Sequence, residues 1–553
     1  MKLINDMKQI TRIAMLWLAV AMACPVLTSC DAFWAWYERP VNPQVRVAKN
    51  ALTIVVGQTA QCNATAQEHI ALTYASADPE VATVDQTGLI TANKVGTTQI
   101  TIHAEGDDEY WRTQIFGQRD LTIDVEVVPT PAAPVVKTPA AISFADATKE
   151  WGTKDGKIII TPDNTGDGTV TYISSDQNVA SIDPTTGEIT PGTPGTTTIT
   201  AIVADTETYT YASKTAQYTL TIHAGYRVRK YNTSTKQFDI VYETTGTLLD
   251  DAAGDVTIYG TCIVKGNVTI NGKLNLSANT ELILLDGSQL TVNGGVDSGT
   301  TYSLTIFAQS DGTSAGKLNV NNPNDDAISV NNLTIHGGKI DAIATNTTSG
   351  YLGITTGGNI TIFGGDIKVQ SSDVSISAVN IGFITYNLLM TGGKLDAAAG
   401  NSSGTVGYEG AYIGNELSLS GDAVLIVKGS NCISGGKRGG DGIKIVNSLI
   451  ISDNASITAT GGHGNGLSKG GMGIRMSNNI EYRGGTITTS GGLNGDNATR
   501  QKAMNNGITN NSGSTLYYDF SGTAIPTTLS NHVDNGSTIS VPATNNAYFK
   551  CSK

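Results

Sequence analysis

Asp325 and Asp326 side by side, a histidine between glycines in Gly462-His463-Gly464, and the cation Arg475 are residue types from which a glycosidic bond can be cut. Such cleavage needs one carboxyl to protonate the leaving oxygen and a second group to attack the sugar or to activate water. Spacing decides whether they can cooperate. Asp326 and His463 lie 137 residues apart, nearly five copies of a repeat of 27 to 32 residues. If successive copies stack at the usual strand spacing of about 4.8 Å, roughly 24 Å separates them, whereas groups sharing one bond must sit within about 10 Å. The histidine then reads as loop sequence. Asp441 near Arg438 is the nearest remaining acid and cation pair, so no catalytic residue is assigned.

Binding chemistry is easier to assemble. Offsets of 28, 29, 32 and 31 residues carry Thr355 to Phe383, Tyr412, Lys444 and Arg475. Ile413, Ile443, Ile445, Ile474 and Met476 flank this column at alternating positions. Alternation turns the flanking residues inward and predicts that the column faces solvent, with neighbours about 4.8 Å apart. Rings stack on the apolar faces of sugars and Lys or Arg pair with carboxylates, so Phe383, Tyr412, Lys444 and Arg475 are the candidate bed for an anionic polysaccharide. An ordinary exposed sheet face, where such residues also have good β propensity, is the alternative.

The elements that must position these residues are strands. Leu333-Thr334-Ile335-His336-Gly337-Gly338-Lys339-Ile340 recurs as Ile360-Thr361-Ile362-Phe363-Gly364-Gly365-Asp366-Ile367 and as Leu388-Leu389-Met390-Thr391-Gly392-Gly393-Lys394-Leu395. Apolar residues alternate with polar ones, and glycine pairs supply turns between short strands. A period of this length means a stacked array, here a parallel β-helix. Asn332, Asn359 and Asn387 fall just before the second strand of each copy, where stacked amides can bond one another along the axis.

The phrases Asn324-Asp325-Asp326-Ala327-Ile328, Leu333 to Ala342 and Gly440-Asp441-Gly442-Ile443 resemble the β-helical carbohydrate-binding family known for acidic plant polysaccharide, over roughly residues 250–500. The resemblance implies calcium at acidic turns and makes Asp325, Asp326 and Asp441 its expected ligands.

Ahead of the repeats, residues 41–128 and 138–223 are copies of each other. Tyr74, Gly88 and Gly96 match Tyr172, Gly187 and Gly195 at offsets of 98, 99 and 99. Both carry an Asp-rich turn, a Gly-Leu-Ile-Thr or Gly-Glu-Ile-Thr strand and a Gly-Thr-Thr strand, and both resemble the bacterial immunoglobulin-like group 2 domain. Two β-sandwiches are therefore expected, joined by a Pro-rich linker over residues 129–137. The fold class is all-β: two immunoglobulin-like sandwiches, then a parallel β-helix over residues 224–553.

Composition bounds the rest. The 553 residues carry a formal net charge of −13 and no basic run, which argues against nucleic acid as a partner. Lys2, Lys8 and Arg12 precede an apolar stretch over residues 13–22, and Leu27-Thr28-Ser29-Cys30 follows. This resembles a bacterial lipoprotein signal with its lipobox, so residues 1–30 are expected to be the signal, with Cys30 lipidated and the chain tethered to a membrane, at the outer membrane or cell surface. Cys62, Cys262, Cys432 and Cys551 form no CxxC pair. The expected protein is a surface lipoprotein binding polysaccharide; an adhesin contacting host protein and a pectin-type lyase or hydrolase remain the alternatives.

Overall fold

The alternation of apolar and polar residues is realised as strands throughout. The computed structural model describes residues 44–552, leaving out 68–69, 106–118, 134–135, 300, 347–348, 376–378, 404–405, 435–436 and 544–545. Among the described residues every named element is a β-strand. The chain divides into two units, Met1–Val136 and Lys137–Lys553.

In the first unit, Ala51–Val55, Arg119–Val128, Gly96–Ala104 and Leu72–Ser76 form a four-stranded sheet, and Thr59–Gln61, Leu89–Ala92 and Ala82–Val84 a three-stranded one. Their inward residues, among them Ile54, Ile90, Ile100 and Ile123, share one core. The matched Tyr and Gly have a structural reason. Gly88 turns at φ +81°, and a Cβ there would lie 3.1 Å from the Tyr74 ring and 2.5 Å from Cys62 Sγ. Asp85 fixes the same turn by accepting the amides of Thr87 and Leu89 at 2.8 and 2.9 Å, and these bonds, led by that from the Thr87 hydroxyl, hold its carboxyl below the usual range. The second copy repeats the device with Asp183, Gly187 at φ +72° and Tyr172.

The second unit holds that second copy and the repeats. Each repeat contributes three short strands, as in Ile328–Val330, Leu333–Ile335 and Lys339–Ala344. Each strand pairs in parallel with its counterpart one repeat later: Ile354–Thr356, Asn359–Ile362 and Asp366–Gln370 here, and so on to Ile474–Met476, Ile480–Tyr482 and Thr486–Ser490. The inward residues of all three ladders, such as Ile328, Leu333 and Ile340, belong to one hydrophobic core. The expected amide ladder runs along one corner. Asn359 N donates to Asn332 Oδ1 at 2.8 Å, and the side-chain amides of Asn387, Asn415, Asn447 and Asn478 each donate to the asparagine one repeat back, at 2.8 to 3.2 Å.

At the start of the repeats, Asp155 of the immunoglobulin-like copy is buried and accepts Gly152 N, Arg227 N and Gln309 Nε2 at 2.8, 3.0 and 2.5 Å. The Arg227 guanidinium also stacks 4.0 Å over the Trp151 ring. The copy and the repeats are thus joined by a buried carboxylate as well as by the chain. The hairpin Tyr226–Asn232 and Gln237–Glu243 then folds over the first turns. It is held by Tyr231, whose amide donates to His336 Nδ1 at 2.9 Å and whose ring stacks 4.5 Å from Phe363.

His336 must be neutral to accept that bond. Burial, with Lys230 adding repulsion, lowers its pKa from 6.5 to about 4. A histidine whose folded pKa is depressed supports the fold above its unfolded pKa, and that support is lost as pH falls from about 6.5 toward 4. The protein is expected to lose about 2 kcal/mol of stability by pH 5 through this group. Unfolding midpoints from pH 7 to 5 should fall less steeply in His336→Leu than in the parent; equal slopes would refute the assignment.

Candidate functional site

Hydrogen-bond register places the outward column. Asn275, Asp297, Ser329, Thr355, Ile384, Tyr412, Lys444 and Arg475 are successive partners on the first ladder. Tyr412, Lys444 and Arg475 therefore stand together as expected, half-buried and facing outward. Phe383 does not join them. It pairs with Ile354 and Ala411, and its side chain is fully buried in the core. Ile384 takes its place, because this repeat sets Thr355 against a residue 29 positions on, and a one-residue slip turns a strand's side chains to the other face.

Within the column the Lys444 ammonium lies 5.0 Å from the centroid of the Tyr412 ring, a cation–π contact. Arg475 is fixed from behind. Its Nε lies 2.6 Å from Asp441 Oδ2, and Arg438 Nη2 lies 2.5 Å from Asp441 Oδ1. The Asp441 side chain is only 1% exposed, so two cations at the surface are anchored on one buried carboxylate. Glu409, one repeat back from Asp441, stands beside them. Burial, with the charge of Asp441 adding, raises its carboxyl above the usual range, against the opposing pull of Lys444 and Arg475.

Asp441 and Asp326 turn out to do one job. Asp441 Oδ1 accepts Met472 N at 2.7 Å, and Asp326 Oδ1 accepts Leu352 N at 2.8 Å. Each also binds the column residue of the next repeat: Arg475 for Asp441, and Thr355 Oγ1 at 2.5 Å for Asp326. An acid three residues before the column residue is therefore a clamp between repeats. Burial pushes the Asp326 carboxyl up.

The three acids expected to hold calcium do not converge on one another. Asp326 and Asp441 are four register steps apart, at about 4.8 Å each, and cannot share one ion. Asp325 bonds Lys273 Nζ at 3.2 Å, and the same ammonium lies 3.0 Å from Asp297, so a lysine stands between the carboxylates where a cation would bind. Among the described residues no group of three or more His, Cys, Asp or Glu side chains converges as metal ligands. Cys30 lies outside the described residues.

Tyr386 and Glu409 escaped the sequence reading. Tyr386 lies just past the end of the strand Phe383–Thr385, is 55% exposed and has its ring close to Gly414, two residues beyond Tyr412. The pattern Glu409-Gly410-Ala411-Tyr412, parallel to Asp441-Gly442-Ile443-Lys444, was the signal that could have found Glu409.

These features define an all-β protein with immunoglobulin-like segments ahead of a parallel strand array. Residues 42–109 and 146–213 match the bacterial Ig-like domain (group 2). No curated protein matches the chain. Among solved structures, the S-layer protein rSbsC(31-844) is 17% identical with a TM-score of 0.13; 36% of this chain is covered, and the chain spans 31% of that protein's length. Human protocadherin-24 EC1-2 is 14% identical with a TM-score of 0.13, covering 34% of this chain and 99% of that one.

Proposed function

We propose that residues 224–553 wind as a parallel β-helix that binds anionic polysaccharide along the face of Tyr386, Tyr412, Lys444 and Arg475. The immunoglobulin-like segments display it from a membrane anchored through Cys30. The one-repeat parallel register and the single core support the coil. One observation carries the binding site: a cation over a ring, next to two arginines held outward by a buried aspartate. Rings suit sugar faces, and fixed guanidinium groups pair with carboxylates at little entropic cost. Arg438, Lys444 and Arg475 outnumber Asp441 and Glu409 by one charge.

Losing the ring and the ammonium together removes both contacts. Tyr412→Ala with Lys444→Ala is expected to weaken binding of polygalacturonate about 30-fold, read by calorimetry, from roughly 1 kcal/mol for each contact. Unchanged affinity would place binding elsewhere. Glu409 adds a pH signature. Its raised carboxyl gains a proton as pH falls, which makes the face more positive, so affinity rises toward acid in the parent and stays flat in Glu409→Gln.

The anchor is tested separately. Cys30→Ala should move the protein from the membrane fraction to the soluble one, and persistent membrane association would rule out a lipid at this position.

A further inference from the structure

The repeats carry a second groove, across the second strand from the column. It has a volume of about 1100 Å³ and runs beneath the hairpin tip over the turns of successive repeats. Its floor is backbone. Gly365, Gly393 and Gly421 turn at φ +98°, +71° and +58°, and a Cβ at Gly392 or Gly421 would come within 2.5 or 2.2 Å of a carbonyl oxygen of the preceding repeat. Side chains larger than hydrogen are excluded there, so the slot stays open along its length.

One line of residues follows the second strand of each repeat. Phe363, Thr391, Ser420 and Ser452 each donate their amide to a carbonyl one repeat back, at 2.8 to 3.0 Å. The line changes character where the hairpin ends. Phe363 is covered by the Tyr231 ring, with Phe238 packed edge-on against Tyr231 at 5.2 Å. Beyond them Thr391, Ser420 and Ser452 line the slot at strand spacing, about 4.8 Å apart. The Thr391 Oγ1 is buried without a hydrogen-bond partner. Asp366, Asp422 and Asp453 border the same slot.

We infer that this groove is a second binding site, for a neutral, linear polysaccharide. An aromatic wall at one end, then Ser420 with Asp422 and Ser452 with Asp453 on successive rungs, suits a chain of sugar units that meets a ring and donates its own hydroxyls to fixed acceptors. The groove's acids, Asp311, Asp366, Asp422 and Asp453, outnumber its lysines, Lys236 and Lys339, which disfavours uronic acids there relative to the Tyr412 face.

Affinity electrophoresis of the full chain through gels holding xylan, mannan, mixed-linkage glucan or polygalacturonate tests this. At least one neutral polymer should retard the protein. Ser420→Trp, which fills the slot, and Asp366→Ala, which removes an acceptor, should each weaken that retardation about tenfold with unchanged melting temperature. Tyr412→Ala with Lys444→Ala should leave it intact while reducing retardation by polygalacturonate. The inference falls if no neutral polymer retards the chain, or if retardation survives both groove variants. It falls too if oligolysine binds and Ser420→Trp abolishes that binding, which would make the groove a site for cationic peptide. Loss of the polygalacturonate effect alone would bear only on the Tyr412 face.

Discussion

Asp441→Ala is expected to lower stability by about 3 kcal/mol, because breaking a buried ion pair leaves its partners uncompensated. Arg438 and Arg475 both lose their counter-charge, and Met472 N loses its acceptor. The arginines are about one-third exposed, so water recovers part of their solvation and keeps the loss below the range for fully buried charges. Asp441→Asn should recover the amide bond but not the charge and fall between the two. Urea unfolding midpoints would show the order parent, Asn, Ala. An Ala variant as stable as the parent would mean that the clamp contributes nothing. The same change frees Arg475 from its fixed position, so affinity for polygalacturonate should fall even where the chain remains folded.

Removing residues 511–553 is expected to have the larger effect and to leave the repeats aggregated. Parallel ladders end in open edges and exposed apolar rungs, which associate unless covered. In this chain the cover is antiparallel. Tyr548–Ser552 pairs against Thr486–Ser490, and Thr538–Ile539 against Ile508–Asn510. Leu516, Ile539, Phe549 and Cys551 complete the core from that side. Losing their burial costs roughly 6 kcal/mol or more, since each large apolar side chain contributes about 2 kcal/mol. Light scattering after size-exclusion chromatography would detect the association. A monomeric product with a cooperative melt would show that the last repeat needs no cover.

The joint at Asp155 bears on how the repeats can be isolated. A cut at residue 223 leaves Arg227 N and Gln309 Nε2 without their acceptor and Arg227 without the Trp151 ring. The second immunoglobulin-like copy belongs with the repeats in any fragment meant for binding studies.

Much of the architecture was legible because it follows from local rules. Alternation along Leu333, Ile335 and Ile340 specifies strands with one buried face, and the glycine pairs specify where they turn. Asn332, Asn359 and Asn387 announced their ladder because equal positions in equal repeats must meet. The paired Tyr74 and Gly88, with Tyr172 and Gly187, marked the duplicated segments before their contact was known.

What tertiary structure decided was register and partnership. Repeat lengths vary, so spacing alone could not tell whether Phe383 or Ile384 follows Thr355, and a single-residue choice separates a core side chain from a surface one. In sequence, the acids of the Asp-Ala-Ile and Asp-Gly-Ile phrases read as calcium ligands, and nothing there suggested a clamp. Their meaning depends on what the next repeat brings within 3 Å, and it brings amides, a threonine hydroxyl and an arginine. The hairpin over His336 and the slot beside it are invisible in sequence for the same reason. Periodicity determines what each residue faces, whereas the partners that meet it come from distant chain whose approach only the packed fold defines.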